Sequence, residues 1–347
     1  MAQLLITGGA GFIGSHACLS FLEAGHSLVV LDNYSNGSME SLKRVTQLAF
    51  LKKDTHRLKL IEGDICNTFD LDVAFENAES PIDAVVHFAG LKAVGESIQT
   101  PIRYWNTNVY GTLCLLEAMK RHGCYTIVFS SSATVYGHPE SIPIKETAQI
   151  NPINPYGKTK AAVENILFDL AASDSLWRVA SLRYFNPVGA HPSGSIGEDP
   201  TGLPNNLFPF VSQVGIGRRD QLQIFGADWP TPDGSAIRDF IHVMDLVEGH
   251  RAALDVLLAE APQAFSLNLG TGKGYSVFEV IECFEKVLGK KLSCKIASRR
   301  AGDIPFSVAD SSLANKRLGW VTNRTLMEMC KDSLAWQKAN PYGYKSN

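Results

Sequence analysis

Six short apolar runs recur along the first half of the chain: "QLLIT", "SLVVLD", "RLKLIEGD", "DAVVHFAG", "TIVFSSS" and "VASLRYFNPVG". They are near-continuous in Val, Ile, Leu and Phe, the composition of strands whose two faces are both covered. Between them lie helix-length segments near residues 12–24, 39–53, 101–122 and 155–172. Strand alternating with helix this regularly predicts an α/β fold built on a doubly wound, Rossmann-type parallel sheet.

The texture changes after Gly189. "AHPSGSIGEDPTGLPNN" and "GADWPTPDGSAIRD" are rich in Gly, Pro, Ser and Asn, and read as long ordered loops that close over a ligand. Helical stretches near 243–259, 276–288 and 325–338, with short strands such as "QLQIF" and "SLNLG", predict a smaller mixed α/β lobe. The expected division is a cofactor domain over 1–189 and a C-terminal substrate-binding lobe over 190–347. The chain can cross between them more than once, and the cleft lies between.

Composition narrows the classes. At 347 residues the chain buries roughly three quarters of its unfolded surface. With 45% hydrophobic residues, 19% charged and a formal net charge of −3, neither disorder nor a basic face for nucleic acid is expected. Seven cysteines, odd in number and scattered without a C-x-x-C, argue against a disulfide framework or a zinc ribbon and suit a reducing cytoplasm. Nine histidines without an H-x-x-x-H spacing give no reason to expect a metal. The N-terminal apolar stretch has no preceding basic residue and is interrupted by glycines, so no signal peptide is expected. No run approaches the ~18 apolar residues of a membrane helix, and a soluble cytoplasmic protein follows.

"LLITGGAGFIGSHACLSFLEAG" places Gly8, Gly11 and Gly14 as G-x-x-G-x-x-G, where the first strand must turn sharply into the first helix. Glycines there let a backbone approach a pyrophosphate whose charge faces the helix N-terminus. The alternative is a tight turn without a ligand. Asp32 ends the second strand, eighteen residues beyond Gly14. A carboxylate at that place accepts hydrogen bonds from both adenosine ribose hydroxyls and repels a 2′-phosphate. The following "NYSNGS" has no Arg or Lys to hold such a phosphate, so NAD is favoured over NADP. Asp64, ending the third strand, reads equally as a contact to the adenine edge or as a solvated turn carboxylate.

Tyr156 and Lys160 stand four residues apart in "NPYGKTKAAVENILFDL", which puts them on one face of a helix. That spacing occurs by chance too often to carry weight by itself. It gains meaning from "TIVFSSSATVYG", a strand that runs into Ser130, Ser131 and Ser132 at its carboxyl end, where such sheets bind ligands. A free phenol, with a pKa of ~10, is a poor base at neutral pH. A nearby ammonium and the positive ring of NAD⁺ are expected to favour the phenolate. Tyr156 would then take a proton from a substrate hydroxyl while hydride leaves its carbon. Ser132 would bind the same oxygen, and Lys160 would also hold the nicotinamide ribose.

In order along the chain, "TGGAGFIG", "HFAGLKAVGES", "SSSATVYG", "NPYGKTK", "LRYFNPVGAHPSG" and "RDFIHVMD" resemble extended short-chain dehydrogenases/reductases. Within them, the likeness is to the UDP-glucose 4-epimerase family and runs from Leu4 past Trp336. It implies reversible C4 epimerisation of UDP-galactose and UDP-glucose through a 4-keto sugar, with NAD kept bound. The family's motif positions fall around NAD on Phe12, Ile13, Asp32, Asn33, Asp64 and Ile65, and on Phe88, Ala89, Gly90, Lys92 and Tyr184. Thr107 stands where some members offer Asn to the cofactor. On the substrate side the likeness implies Arg238 and Arg300 on the diphosphate, where a planar guanidinium fork suits phosphate. Asn186, Asn206, Leu207, Phe225 and Asp303 would surround the sugar and uridine. From sequence alone, an exposed Arg is usually a solvated one.

Ser307 takes the place of a bulky Tyr in the sugar-pocket wall of members restricted to glucose and galactose. Room for a 2-acetamido group follows, and with it the expectation of UDP-N-acetylglucosamine and UDP-N-acetylgalactosamine as further substrates. The opposing reading is a small residue without consequence. The rivals are an NDP-sugar 4,6-dehydratase, a uronate or pentose 4-epimerase, and an NAD-binding sensor without catalysis. The dehydratase family carries an Asp-Glu pair where this chain has Ala133 and Thr134 after Ser132, and sensors usually lose the Tyr or the Lys. Family members commonly pair through helices like those at 101–122 and 155–172, so a homodimer is expected.

Overall fold

The structure, a computed structural model, describes residues 1–49, 55–200, 204, 206–300 and 302–344. In chain order the strands are β1 (Gln3–Thr7), β2 (Ser27–Asp32), β3 (Leu58–Glu62), β4 (Ala84–His87), β5 (Thr126–Ser132), β6 (Arg178–Tyr184) and β7 (Asn186–Val188). Then follow β8 (Leu222–Phe225), β9 (Ile237–His242), β10 (Ala264–Leu269), β11 (Gly274–Ser276), β12 (Cys294–Ala297) and β13 (Phe306–Ser307). The first helices are α1 (Phe12–Glu23), α2 (Met39–Leu48), α3 (Thr68–Glu76), α4 (Val94–Gln99), α5 (Pro101–Trp105) and α6 (Gly111–Arg121). The rest are α7 (Pro155–Ser173), α8 (Leu207–Gly215), α9 (Val243–Ala259), α10 (Val277–Leu288), α11 (Ser312–Leu318) and α12 (Leu326–Ala339).

Seven strands form one parallel sheet in the order β10-β6-β5-β4-β1-β2-β3. The doubly wound sheet anticipated from the apolar runs is the one observed. Successive side chains on a strand point to opposite faces. Leu4 and Ile6 of β1 therefore join Ala17, Phe21, Leu254 and Leu257 in the core under α1 and α9. Leu5 joins Leu115, Leu167 and Phe129 in the core under α6 and α7. Both faces are dry, which is why the strands read as unbroken apolar runs.

Four segments depart from the sequence expectation. "SLNLG" and the helix over 243–259, anticipated in the smaller lobe, are β10 and α9, and they complete the large sheet and its cover. The helix anticipated over 101–122 bends through a π turn at Asn106–Tyr110, between α5 and α6. The helix anticipated over 39–53 ends at Leu48, and residues 50–54 lie outside the described residues, as do 201–203 and 205 of the long loop. The second lobe packs α8, α10 and α12 around Phe208, Phe240 and Phe284. Its short strands form a β11-β9-β13 group, with β7 on β9, and a β12-β8 pair.

A buried ion pair joins β6 to α7. Arg183 donates through Nε to both Glu164 carboxylate oxygens, at 2.9 and 3.1 Å, and through Nη2 to Oε2 at 2.5 Å. Glu164 also accepts the Ser131 hydroxyl. Arg183 Nη1 reaches the Tyr136 hydroxyl at 3.0 Å, and that hydroxyl donates to Asn268 Oδ1 of β10 at 2.7 Å. β5, β6, β10 and α7 are thus cross-tied behind the strand ends. Arg183→Met leaves Glu164 buried and unpaired, and should cost about 3–5 kcal/mol. The Arg183→Met/Glu164→Leu double variant should cost less than Arg183→Met alone in urea unfolding.

Candidate active site

The turn from β1 into α1 uses its glycines in two ways. Gly8 has φ +72°, and a Cβ there would fall 2.5 Å from Ala89 N; a Cβ on Gly14 would strike the Gly8 carbonyl. Those two are required by the turn itself. Gly11 differs: among the described residues a Cβ would meet only Gly8 O, at 3.4 Å. The space above Gly11 is left clear by the protein. Gly11 is also the N-cap of α1 and makes no side-chain cap, and the first turn holds no acidic residue. The open N–H groups of Phe12, half-buried Ile13 and Gly14 and the positive end of the helix dipole suit an anion. A cleft runs past Ala10, Gly11 and Phe12 and past Asn36, Gly37 and Ser38, and Gly197, Asp199 and Tyr344 also line it. The residues present fit a dinucleotide's pyrophosphate.

The flanking strand ends complete that edge. Asp32 Oδ2 accepts Ala10 N and Oδ1 accepts Tyr34 N, each at 2.8 Å. Burial pushes its pKa up, and these N–H groups oppose the rise. Asp64 accepts Asn33 Nδ2 through Oδ2 and Cys66 N through Oδ1, both at 2.8 Å. Burial works to raise its pKa, but those two bonds hold it below the usual carboxylate range. Ile65 packs against Gly111. Phe88, Ala89 and Gly90 continue from the carboxyl end of β4, with the Phe88 ring 5.0 Å from that of His250.

Ser132 is the last residue of β5, and Tyr184, the last of β6, is its partner in the register. Ser132 Oγ accepts Thr134 N at 3.3 Å and Thr134 Oγ1 at 3.0 Å. Asn154 caps α7 by accepting Gly157 N at 2.9 Å, and Pro155 opens the helix, so Tyr156 and Lys160 face inward from its first turns. Lys160 Nζ donates to Ser130 O at 2.8 Å, 4.7 Å from the Phe129 ring centre and 5.9 Å from that of Tyr156. Burial lifts the Tyr156 phenol to about 12, with a hydrogen bond to Ser132 opposing. Burial lowers Lys160 to about 8, with Glu164 opposing. The expected lowering of the phenol by the ammonium is therefore not met by the protein's own groups. Desolvation outweighs it, and the ammonium is engaged by the Ser130 carbonyl.

Sequence reasoning passed over the polar chain beneath this site. Thr7 Oγ1 lies 2.6 Å from His87 Nδ1, and His87 Nε2 lies 2.9 Å from Thr112 Oγ1. Thr112 donates to the Asn108 carbonyl at 2.6 Å. In the π turn, Asn108 accepts Leu91 N at 2.8 Å and donates to Leu91 O at 3.0 Å and to Thr159 Oγ1 at 3.1 Å. Thr159 in turn bonds the Tyr156 carbonyl at 2.7 Å. Burial pushes His87 down to about 3, with Lys160 adding to the effect, so it relays as a neutral ring. The glycine turn and the Tyr156 helix are thereby linked. Thr107 is the neighbour of Asn108 in that turn and is half-buried. No spacing in the sequence signals this chain, because its directly bonded partners lie up to 80 residues apart.

The substrate-side candidates form a second group. Arg238 lies on β9, opposite Ser307 of β13 in the register. Its Nη2 is 3.9 Å from Asp303 Oδ1, and Arg300 Nε is 3.3 Å from Asp303 Oδ2. The Arg300 guanidinium sits 4.5 Å from the Phe225 ring centre. Arg238 is largely buried rather than a solvated arginine; desolvation lowers its pKa, and Asp303 opposes. Asn186 on β7 pairs with Phe240, two residues past Arg238, and Leu207 opens α8. Asn206 Nδ2 reaches Glu198 Oε1 at 2.8 Å, and Lys92 Nζ reaches the same oxygen at 3.1 Å. Glu198, absent from every motif above, joins Lys92, expected on the cofactor side, to Asn206, expected on the substrate side. Among the described residues no cluster of His, Cys, Asp and Glu could hold a metal ion, and no helix is long and apolar enough to cross a membrane.

Comparison with known proteins gives one consistent picture. A sequence profile described as GDP-mannose 4,6 dehydratase matches residues 5–333. The chain is 53% identical over 343 residues to a UDP-glucose 4-epimerase of Bacillus subtilis, covering 99% of each. It superposes with a TM-score of 0.93 on the crystal structure of UDP-glucose 4-epimerase from Bifidobacterium longum in complex with NAD⁺ and UDP. That pair shares 46% identity over 98% of this chain and 99% of the other. The UDP-Glc/GlcNAc 4-epimerase from Campylobacter jejuni superposes with a TM-score of 0.82, at 36% identity over 98% of this chain and 100% of that one.

Lys160 makes a testable contribution to stability. Between about pH 8 and its ordinary 10.5 the unfolded chain holds this proton and the folded one does not. Stability from this group therefore rises with pH across that window and is lost as pH falls through 8. In nucleotide-free protein, Lys160→Met should raise the urea midpoint at pH 7, with the gain shrinking as pH approaches 10.5.

Proposed function

The chain belongs to the UDP-glucose 4-epimerase family, and from that premise we propose that it interconverts UDP-galactose and UDP-glucose by inverting C4 through a transient 4-keto sugar, with NAD held throughout. The observation that carries this reading is the meeting of Ser132 with Tyr156, and of Lys160 with Ser130 O, at the carboxyl end of β5, on the same sheet edge as the glycine turn after β1. NAD, when bound, supplies a hydride acceptor and then donor at the sugar carbon, and its positive ring favours the phenolate. Gly11, Phe12 and Ile13 bind its pyrophosphate, Asp32 and Asn33 its ribose, and Lys92 and Tyr184 its far half.

Tyr156 takes the O4 proton as the sugar is oxidised and returns it on the other face, while Ser132 holds the same oxygen. Lys160 keeps positive charge beside the phenol. Arg238 and Arg300 hold the diphosphate, so the keto sugar can turn without leaving. The matched profile is described by a dehydratase, whose elimination needs carboxylates just after Ser132; Ala133 and Thr134 stand there, and Thr134 donates to Ser132 instead. Exposed Ile98, Ile102, Trp105 and Tyr110 along α4 to the π turn support pairing with a second copy of the chain. Seven free cysteines suit a reducing cytoplasm.

Protein purified without added NAD should convert UDP-galactose to UDP-glucose. Tyr156→Phe should lower kcat by ~10²–10⁴, the usual worth of acid–base help, as read by chromatography of the two epimers. No turnover by the unmutated protein, even with NAD supplied, would sink the reading.

A second substrate class is supported by Ser307, whose small side chain stands beside Arg238 in the register, and by the likeness to an enzyme described for both UDP-Glc and UDP-GlcNAc. The wild type should epimerise UDP-N-acetylgalactosamine, and Ser307→Tyr should lose that turnover while keeping UDP-galactose. Failure of the wild type on the acetamido sugar would end this extension.

A further inference from the structure

The segment from Asn340 to Tyr344 does not belong to any motif used above, yet its Tyr344 lines the cofactor cleft along with Gly11, Phe12, Gly197 and Asp199. We infer that Tyr344 is a cofactor-retaining residue, carried on a strap that forms the outer wall over the α1 N-terminus and slows the release of NAD. The inference rests on the NAD reading given above.

The strap is built into place at each end. Tyr344 is 7% exposed; its hydroxyl accepts Gly197 N at 3.1 Å and donates to Gly197 O at 3.2 Å. Its backbone N–H donates to Asp199 Oδ2 at 2.8 Å. Gly343 has φ +78°, and any Cβ there would strike the Asp199 carboxylate, so the approach requires glycine. Asn340 Nδ2 donates to Gly194 O at 2.9 Å.

Arg44 of α2 then ties the strap to the cofactor side. Its Nη1 donates to Asn340 Oδ1 at 2.6 Å and to Ser195 O at 3.0 Å, and its guanidinium lies 5.1 Å from the Tyr344 ring centre. The strap thus bridges α2, the 194–199 stretch and α12. That stretch includes Glu198, whose carboxylate holds Lys92 and Asn206. A dinucleotide lying across Gly11 would run along the same cleft as Tyr344, Gly197 and Asp199. Loss of the Tyr344–Gly197 bonds would loosen that lining, whereas Arg238 and Arg300, which would hold the UDP-sugar, lie outside it.

The test follows release of NAD from the holoenzyme. Bound NAD is chased with a fluorescent etheno analogue in the wild type, Tyr344→Phe and Tyr344→Ala, with exposed Tyr342→Ala as a control. UDP affinity is measured on the same samples. Tyr344→Ala should release NAD about tenfold faster and Tyr344→Phe severalfold faster. Tyr342→Ala should match the wild type, and UDP affinity should stay within twofold. Release rates within twofold of wild type in both Tyr344 variants would overturn the inference, and so would equal loosening of UDP and NAD, the mark of general destabilisation. A wild type that neither carries nor binds NAD would overturn the cofactor reading and the strap with it.

Discussion

Seven parallel strands covered on both faces leave a protein of this kind only the strand ends for polar chemistry. The faces of this sheet are filled from two sides, by α1 and α9 and by α6 and α7. A buried polar side chain on a strand costs free energy unless it is paired or stands at an end, and Ser181 and Ser266 are the mid-strand hydroxyls that carry that cost among the described residues. Thr7, Asp32, His87, Ser132 and Tyr184 are all last residues of strands, and all face the same edge because the strands run parallel. The helix N-termini that follow return to that edge as well. Negative phosphate and positive helix ends are brought together by topology before any single residue is chosen.

Burial at that edge sets the chemistry in opposition to intuition. Tyr156 and Lys160 are both driven toward neutrality, one up to about 12 and the other down to about 8. At about 8, Lys160 is still an ammonium at neutral pH, whereas Tyr156 is a neutral phenol whose state answers to whatever charge enters the cleft. The Glu164–Arg183 pair stands behind it, and Glu164 resists the loss of Lys160's proton. Such a site is costly for stability and useful for proton transfer, the usual exchange at catalytic centres.

Much of this was legible in the linear chain. The six apolar runs, the three glycines, Asp32 and the Tyr156–Lys160 spacing all report local geometry, because the period of a strand or helix is written in adjacent residues. Even within the glycine motif, though, the sequence does not say that Gly8 and Gly14 serve packing while Gly11 alone has open space above it. That distinction needs Ala89 and the Gly8 carbonyl in position. That β10 belongs to the large sheet rather than to the small lobe is not legible for a related reason: nothing within "SLNLG" reveals that it pairs with β6, some eighty residues earlier.

By itself, the sequence determined the parallel sheet, the dinucleotide turn, the preference for NAD and the residues able to exchange a proton, since each depends on side-chain type and short spacing. Tertiary structure alone decided the Asn108 relay in its π turn, the Glu198 link between Lys92 and Asn206, the Arg238–Asp303–Arg300 group and the Tyr344 wall. These contacts join segments that are distant in the chain, and their partners are selected by packing of whole layers. Hydrogen bonds and ion pairs of that kind leave no period in the sequence to read.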